Sequence, residues 1–348
     1  MKLETPRSLG YRMPAEWERH EATWLSWPKN RLTFPDEVIG NVERIYVQMI
    51  EALSWDEKVK VLVDDRATGD RIEALLDSTR TNMQNLEPVP IHSMDVWIRD
   101  YGPTFLVHPS ESRGAVRWRF NAWGGKYEDL FADDSTGDDV VDASGARVFR
   151  PGIVLEGGSI DVNGMGSVLT TEQCLLNENR NPKLSKGEIE RYLEQYIATR
   201  NVIWLKSGIE GDDTDGHVDD FARFVSADTV LCSYSDANGT TNREVLRRNL
   251  DLLRKAKDQD GRPLKIVKLP LPSPLRLEEE DRWLPASYAN FYIGNSVVLL
   301  PVFRDPNDEG AIATLGRLFP GREIVPIYSA DLVYGYGGIH CVTQQEPL

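Results

Sequence analysis

Two kinds of hydrophobic pattern alternate along the chain. Short runs of β-branched and aliphatic residues, such as residues 201–205 (NVIWL), are bounded by polar turn residues and predict buried strands. Longer stretches, such as residues 186–197, place apolar side chains at every third or fourth position and predict amphipathic helices. Ser185 and Glu188 have the spacing of a capping box, which predicts where that helix begins.

The order strand, polar turn, helix, strand recurs along the chain. We predict four copies, each with a strand, a helix and a strand, at residues 58–63, 71–76 and 89–92; 166–170, 186–197 and 201–205; 229–233, 242–255 and 264–269; and 296–300, 311–319 and 323–327. Residues 95–165 supply a divergent fifth copy, with strands at residues 104–107, 116–120 and 148–155. A spacing of roughly 60 to 70 residues is too long for a solenoid and suits propeller blades. The sequence therefore predicts an α/β fold, a five-bladed α/β propeller.

The remaining segments affect the domain organisation. No Ser/Gly-rich linker divides the chain, so we predict a single domain over residues 1–348. An amphipathic helix at residues 36–53 precedes the first copy and is expected to pack on the outside. The acidic, proline-rich stretch at residues 270–285 has two interpretations, a solvated loop and a lid.

Charge and cysteine content restrict the partners and the compartment. The 55 acidic and 40 basic residues give a net charge of -15, which disfavours nucleic acid and anionic membranes and favours small cations, although it also serves solubility. The three cysteines cannot form a disulfide framework. We see no secretory leader and no apolar run near the ~20 residues that span a bilayer. We therefore predict a cytoplasmic protein with no membrane partner.

Unusual polar residues follow the second strand of each copy, in residues 94–105, 155–160, 211–224, 287–295 and 334–345. Pseudo-symmetry would bring equivalent loops to the same end of one axis. We therefore expect five residues from distant parts of the sequence to converge there: Asp100, Glu156, His217, Asp219 and Cys341.

Cys341 is the candidate nucleophile. It follows a glycine-rich turn, where backbone can approach a ligand closely, and a buried structural cysteine is the alternative. His217 and Asp219 form a His-x-Asp pair whose side chains would share one side of a strand. The carboxylate would raise the pKa of the imidazole, which could then donate a proton to a leaving amine. The same pair also occurs as metal ligands, so a metal site stays open.

Three carboxylates suggest the kind of ligand. A planar guanidinium presents five fixed N–H donors, and several carboxylates are needed to satisfy them. Asp100, Glu156 and Asp219 could supply these, although each taken alone could be structural. Trp97, in the string Trp-x-Arg-Asp-x-Gly-Pro, predicts a flat apolar wall beside Asp100.

Six strings, spread over nearly the whole chain, resemble the agmatine deiminase family, close to the bacterial peptidyl-arginine deiminase type of the guanidino-modifying superfamily. The strings are WIRDYGP, LEGGSI, LTTEQCLLNENRNP, GHVDDFARF, YANFYIGN and IHCVTQQ. The resemblance implies a five-bladed propeller of ββαβ units and no metal or organic cofactor. It also implies that Cys341 attacks the guanidinium carbon to give a covalent amidino-cysteine, and that His217 protonates the departing ammonia and then activates water. The other implied roles are binding of the guanidinium by Asp100, Asp219 and Glu156, walling of the pocket by Trp97, and a polar contact by Asn290.

Two departures from the family pattern concern the substrate tail. Residues 335–341 read Gly-Tyr-Gly-Gly-Ile-His-Cys, whereas the family commonly carries Gly-Gly-Gly-Asn-Ile-His-Cys, and an acidic GDDTDG precedes His217. Agmatine ends in an ammonium, which Asp212, Asp213 and Asp215 are placed to meet, with Asp213 as the candidate contact. The carboxylate of free arginine would need a basic residue. We therefore predict hydrolysis of agmatine to N-carbamoylputrescine and ammonia.

Several alternatives stay open. Within the same chemistry they are a peptidyl-arginine or free arginine deiminase and an amidine transferase. Outside it they are a metal-dependent hydrolase built on His217, Asp219 and Glu156, and a non-catalytic binder of cationic guanidines. A homodimer is the candidate assembly.

Overall fold

The computed structural model describes residues 4–236, 241–277 and 281–348. Its strands are β1 (His20–Ser26), β2 (Lys58–Val63), β3 (Leu86–Pro90), β4 (Thr104–Leu106), β5 (Gly114–Val116), β6 (Arg147–Phe149), β7 (Asp161–Val162), β8 (Ser167–Thr171), β9 (Asn201–Leu205), β10 (Ala222–Ser226), β11 (Thr229–Tyr234), β12 (Lys265–Pro270), β13 (Leu275–Leu277), β14 (Arg282–Leu284), β15 (Tyr292–Ile293), β16 (Val297–Val302), β17 (Glu323–Tyr328) and β18 (Gln344–Pro347). Its α-helices are α1 (Asp36–Leu53), α2 (Arg66–Leu76), α3 (Ile98–Tyr101), α4 (Ala122–Gly125), α5 (Asp133–Ser144), α6 (Glu172–Leu175), α7 (Lys186–Ile197), α8 (Thr241–Leu253), α9 (Asp308–Leu318) and α10 (Ala330–Val333). Short 3₁₀ helices lie at Arg7–Leu9, Met83–Asn85, Glu128–Ala132, Gly157–Ser159 and Val218–Asp220.

One strand pattern recurs in five sheets of the described residues. The first strand runs antiparallel to the second, and the second runs parallel to the third, with a helix in the connection. The sheets, in the order of hydrogen-bonded neighbours, are β4-β5-β6, β7-β8-β9, β10-β11-β12, β15-β16-β17 and β18-β1-β2-β3. These mixed sheets confirm the α/β class.

The last of these sheets joins the two ends of the chain. β18 pairs antiparallel with β1, with Trp24 opposite Gln344, and β1 pairs in parallel with β2. Trp24 Nε1 donates to Glu346 at 2.7 Å although the two residues are 322 positions apart, and Lys60 Nζ donates to the same carboxylate at 2.8 Å. Neither β1 nor β18 is predicted from the sequence, since the two strands pair with each other across nearly the whole chain.

The helix α1 has the bounds predicted from the sequence. Its buried stripe includes Val42, Ile45 and Met49. These side chains belong to the largest hydrophobic cluster, which also reaches Trp97 and Cys341. Since α1 contacts β16, β17 and α10 as well as β2, it links two sheets and does not simply pack on the outside.

Predicted and observed bounds agree best in the second sheet. There α7 and β9 begin and end as predicted, and Ser185 and Glu188 form the capping box. In the divergent copy, β5 and β6 are shorter and shifted from the predicted bounds. Arg119 and Val154 still pair as an isolated bridge beyond them. Residues 150–152 interrupt the hydrogen-bonded ladder between the β5–β6 pair and this bridge. They include a proline, Pro151, and Gly152 at φ +79°.

The acidic stretch at residues 270–285 contains an antiparallel hairpin. β13 pairs with β14, with Leu275 opposite Leu284. Residues 278–280, which carry its three consecutive glutamates, lie outside the described residues. The described part of this stretch thus includes two paired strands, and a lid stays a prediction. Within the described ranges, no helix has both the length and the apolar character needed to cross a bilayer.

Each of the five sheets is entered through a loop that carries a candidate residue. Asp100 lies in α3 directly before β4, and Glu156 lies directly before the 3₁₀ helix that leads to β7. His217 and Asp219 precede β10, and Cys341 precedes β18. Asn290 holds the same position before β15. The candidate residues therefore occupy one equivalent place in the repeat, as predicted.

Candidate active site

One side chain fixes the backbone around Cys341. Asn290 Oδ1 accepts hydrogen bonds from the backbone N–H groups of His340 (2.9 Å) and Cys341 (3.3 Å), and its Nδ2 lies 3.2 Å from Cys341 Sγ. The backbone carbonyl of Cys341 accepts a bond from the N–H of Arg99 at 3.3 Å. Asn290, predicted as a substrate contact, is thus committed to holding the loop of the candidate nucleophile.

His217 does not lie on a strand, contrary to the prediction. It directly precedes the 3₁₀ helix Val218–Asp220. Asp212 shapes this turn, because its Oδ2 accepts hydrogen bonds from the N–H groups of Gly216 (2.7 Å) and His217 (3.0 Å). The side chains of His217 and Asp219 still point toward the same place, next to Gly158. The turn and the 3₁₀ helix orient them, and not the alternation of side chains along a strand.

A glycine lets three functional groups meet. A Cβ atom at Gly158 would lie 2.6 Å from His217 Nδ1, 2.9 Å from Asp100 Oδ1 and 3.0 Å from Asp219 Oδ2. The N–H of Gly158 donates to Asp100 Oδ1 at 2.9 Å. Only glycine permits the backbone to come this close, as expected from the Gly-Gly pair that follows Glu156.

The thiol and the imidazole each contact a carboxylate of this cluster. Asp100 Oδ2 lies 3.8 Å from His217 Nδ1. Asp219 Oδ2 lies 3.8 Å from Cys341 Sγ and accepts a hydrogen bond from His340 Nδ1 at 2.6 Å. The structure therefore brings the predicted thiol, imidazole and two of the three carboxylates together.

Three buried polar atoms in this cluster lack a hydrogen-bond partner among the described residues. They are both ring nitrogens of His217 and Oδ1 of Asp219. A buried polar atom left without a partner costs about 1–3 kcal/mol, and native proteins keep few of them. Their concentration beside Cys341 marks the place where a polar ligand would bind.

Glu156 is placed differently from the prediction. Glu156 and Arg180 are both fully buried, and Arg180 Nε donates to Glu156 Oε1 at 2.6 Å. One oxygen of Glu156, Cys174 Sγ and a ring nitrogen of His217 lie within 4.8 Å of one another. Glu156 therefore binds Arg180 through Oε1 and lies beside His217 and Cys174. This ion pair was not expected, and a direct bond from Glu156 to the guanidinium stays a prediction.

Burial and neighbouring charges set the protonation states of the thiol and the imidazole. Burial, followed by the negative charges of Asp219 and Asp220, raises the pKa of Cys341 well above that of a free thiol. Burial alone would lower the pKa of His217, but the surrounding carboxylates, Asp100 foremost, raise it above its usual value. The resting site thus holds a neutral thiol, and the imidazole stays protonated to a higher pH than that of a free histidine.

An aromatic cavity of about 280 Å³ leads to Cys341. Its walls include Trp97, as predicted, and also Trp123 and Tyr127, which pack edge to face with ring centres 5.8 Å apart. Trp123 Nε1 donates to Asp100 Oδ2 at 2.9 Å, which fixes that carboxylate at the inner end. Flat aromatic walls that end in a carboxylate suit a flat cation.

The acids predicted for the substrate tail separate into two groups. Asp213 lines the cavity, with Lys126 Nζ at 3.5 Å from its Oδ1. Asp212 is used in the turn before His217, and Asp215 Oδ2 lies 2.7 Å from Arg180 Nη1. The expectation is therefore wrong for Asp212 and Asp215, whose carboxylates serve the local fold.

Sequence reasoning missed several residues of the cavity, namely Trp123, Tyr127, Asp129, Arg282 and Tyr336. Tyr336 replaces a glycine of the family run and still adopts φ +74°, a conformation that glycine favours. The guanidinium carbon of Arg282 lies 3.8 Å from the centre of its ring. The departure from the family run was a signal for Tyr336, and Arg282 lies in the acidic stretch at residues 270–285, whereas Trp123, Tyr127 and Asp129 lie in a segment without a motif.

The donor geometry does not favour the alternative of a metal-dependent hydrolase. Among the described residues, the groups with metal-ligating atoms within 4.8 Å of one another are Glu156, Cys174 and His217, and Asp219, Asp220 and Cys341. Neither is the trio named for that alternative, His217, Asp219 and Glu156. In addition, Arg180 and His340 already bind carboxylates from that trio.

A buried thiol beside an imidazolium and carboxylates, at the end of an aromatic cavity, is typical of an enzyme that uses a cysteine on a cationic substrate. Residues 12–347 match the Porphyromonas-type peptidyl-arginine deiminase family. The agmatine deiminase of Pseudomonas aeruginosa (strain LESB58) is 38% identical over 367 residues, with 99% of this chain and 97% of that protein covered.

Solved structures agree with this match. The agmatine deiminase of Enterococcus faecalis has a TM-score of 0.91 at 33% identity, covering 100% of this chain and 98% of that one. A substrate-bound variant of the C. jejuni agmatine deiminase has a TM-score of 0.86 at 29% identity, covering 97% and 96%. The chain belongs to the Porphyromonas-type peptidyl-arginine deiminase family.

Proposed function

We propose that this protein is a hydrolase of linear amidines that converts agmatine and water to N-carbamoylputrescine and ammonia. The observation that carries the proposal is the buried Oδ1 of Asp219, which lacks a hydrogen-bond partner among the described residues while Oδ2 of the same carboxylate lies 3.8 Å from the thiol of Cys341. A guanidinium at this place would satisfy Asp219 Oδ1 with an N–H donor and present its carbon to the sulfur. The relatives described above are agmatine deiminases, which supports the same reaction here.

The protonation states support a reaction in which the substrate activates the nucleophile. The guanidinium cation offsets the negative charge that holds Cys341 as a thiol, so the thiol releases its proton to solvent through the cavity as the substrate binds, and His217 keeps its own proton. The sulfur then attacks the guanidinium carbon, and His217 gives its proton to the leaving amino group. The C–N bond breaks, ammonia departs, and an amidino-cysteine remains.

Hydrolysis of this intermediate completes the reaction. His217, now neutral, takes a proton from the attacking water. The tetrahedral adduct collapses with breakage of the C–S bond, which returns the sulfur and releases the ureido product. Asp100 and Asp219 hold the nitrogens throughout, and Glu156 supports the charge of His217.

The choice of agmatine depends on the outer part of the cavity. Asp213 is a carboxylate in reach of an ammonium tail, and Asp129 adds a second one. One observation favours free arginine as a second candidate substrate: Arg282 also lines the cavity, and the α-carboxylate of arginine would need such a basic residue. Agmatine is preferred because the 38% identical relative is an agmatine deiminase.

We also propose that residues 1–348 form one domain in which the five sheets are the blades of a propeller. The recurring strand order and the pairing of β1 with β18 support this arrangement, because that pairing joins the first and last parts of the chain. A cytoplasmic location is supported by three free cysteines. The homodimer stays a prediction, which the mass of the purified protein in solution tests.

The test of the function is ammonia release from agmatine, free arginine and a blocked peptidyl-arginine, each measured with and without a chelator. We expect the highest kcat/KM for agmatine and no effect of chelation. Preference for arginine would select the second candidate. Absence of ammonia from all three substrates would refute the proposed activity, and loss of activity with the chelator would favour a metal-dependent hydrolase.

A further inference from the structure

A second histidine, absent from the sequence-based candidates, bridges two buried carboxylates beside the nucleophile. His340 Nδ1 lies 2.6 Å from Asp219 Oδ2, and its Nε2 lies 2.8 Å from Glu16 Oε2. His340 is 2% exposed and directly precedes Cys341. The side chain therefore connects the N-terminal segment of the chain with the candidate active site.

The hydrogen bonds determine the charge of this histidine. An ionised carboxylate only accepts, so a ring nitrogen that faces one must carry a hydrogen. Although burial acts in the opposite direction, Arg223 and His340 hold the pKa of Glu16 well below its usual value, and His340 likewise lowers that of Asp219. With both carboxylates ionised, both ring nitrogens donate, which is the hydrogen-bonding pattern of an imidazolium.

Glu16 is itself firmly held. Its Oε1 accepts from Arg223 Nη2 at 2.9 Å and from the N–H of Ile293 at 2.9 Å, and Arg99 Nη2 lies 3.4 Å from its Oε2. Glu16 therefore gives His340 a fixed outer contact. As a result, the ring of His340 cannot turn away from Asp219 without leaving a buried charge unpaired.

The contact with His340 determines which oxygen of Asp219 is available to a ligand. His340 occupies Oδ2 of this carboxylate, so the other oxygen, Oδ1, is left without a partner among the described residues. We propose that His340 is a positioning residue: as an imidazolium anchored on Glu16, it keeps Asp219 ionised and turns Oδ1 toward the substrate cation. This inference rests on the proposed function, since it takes that cation to be a guanidinium.

Two amide substitutions separate the two contacts. The side-chain nitrogen of asparagine can take the place of Nδ1, and that of glutamine the place of Nε2. His340→Asn should thus keep the bond to Asp219, whereas His340→Gln should lose it. We expect kcat/KM for agmatine to fall about 10-fold in the first variant, which keeps an uncharged bond to Asp219, and about 100-fold in the second, which keeps only the contact with Glu16.

The pH profile distinguishes this role from a merely structural one. Both variants lose the cation that keeps Asp219 ionised, so the acid limb of kcat/KM should move to higher pH, and KM should rise more than kcat falls. The charged and titratable groups that face Asp219 are Asp100, His217, Asp220, Arg223, His340 and Cys341. Five of these six are unchanged in the variants, so a shifted limb reports the loss of His340.

His20 supplies a matched control. It is buried, and its Nε2 lies 2.7 Å from the backbone carbonyl of Glu16. Its ring contacts Glu57, Glu16 and Tyr292, and among the described residues it bonds to neither Asp219 nor Cys341. His20→Gln should therefore leave the pH profile in place even if it lowers the unfolding temperature.

Nitrogen NMR of the wild-type protein tests the charge without relying on any variant's activity. With ¹⁵N-labelled histidine, both ring nitrogens of His340 should show imidazolium shifts at pH 7, assigned by their loss in His340→Gln. A neutral ring, or an unmoved acid limb in both amide variants, would overturn the proposal. If the wild type released no ammonia from any guanidine, the proposed function would fail, and the nitrogen shifts would still decide the charge of His340.

Discussion

Replacement of Asp219 by asparagine should move two measurable properties in opposite directions. Asp219 is expected to bind the substrate cation through Oδ1, so its loss should slow ammonia release. The same carboxylate lies 3.8 Å from Cys341 Sγ and is the foremost charge that raises the pKa of the thiol. Asp219→Asn should therefore weaken turnover while it makes the sulfur more reactive toward a neutral reagent.

The size of the first effect follows from the lost contact. A hydrogen bond between charged groups contributes about 1.5–3 kcal/mol, and about 1.4 kcal/mol corresponds to a factor of ten. We therefore expect kcat/KM for agmatine to fall by about 10- to 100-fold. Since asparagine preserves the shape and can still contact the ring of His340, the change should act mainly through charge.

The size of the second effect follows from the distance. Unit charges 3.8 Å apart repel by about 4 kcal/mol at an effective dielectric constant of about 20. The cation of His340 offsets part of this repulsion. Even a third of it would raise the thiolate fraction, and hence the alkylation rate at a fixed pH below the thiol pKa, by about tenfold.

The assay combines ammonia release with alkylation by iodoacetamide, located by mass spectrometry on the peptide that contains Cys341. Asp142→Asn, the same change on the exposed face of α5, serves as the control and should alter neither rate. If Asp219→Asn lowered both turnover and alkylation, or changed neither, the sulfur would not be governed by this carboxylate and the reasoning would be refuted.

Four further predictions concern the rest of the site. Cys341→Ala should abolish ammonia release while calorimetry still detects agmatine binding; retained release would contradict the mechanism. Gly158→Ala should reduce kcat/KM strongly with a cooperative urea transition intact, because the added methyl group meets the ring of His217. Arg180→Met should lower the free energy of unfolding by about 3–5 kcal/mol, measured with urea, because it leaves Glu156 buried and unpaired. The alkaline limb of kcat/KM should lie above pH ~6.5, the usual pKa of histidine, because the pKa of His217 is raised. His217 keeps the proton that it donates until the pH rises through its raised pKa, and activity is lost there.

The parts of the fold that the sequence predicts are those with local signals. The bounds of α1 and α7 follow from apolar periodicity, and the start of α7 follows from a capping box. The strands β1 and β18 have no such signal, because they are stabilised by each other across nearly the whole chain. A strand whose partner is so distant can be recognised only when the closure of the repeat is considered.

In the site, the sequence predicts which residues come together better than it predicts what each of them contacts. The repeat places Asp100, Asp219 and Cys341 correctly because equivalent loops enter equivalent sheets. The ion pair of Glu156 with Arg180 was not predicted, since a carboxylate that faces a ligand and one that faces an arginine look alike in sequence. Asn290 was misjudged for a similar reason, because its amide serves the backbone of a neighbouring loop.

The central claim is that the sulfur of Cys341 forms a covalent bond with the guanidinium carbon. Acid quenching of the wild-type enzyme during turnover of agmatine, followed by peptide mass spectrometry, tests it directly. The account predicts an amidino adduct of the substrate on the peptide that contains Cys341. Steady turnover with the adduct on Cys174 or Cys232, or with no adduct on any cysteine, would contradict it.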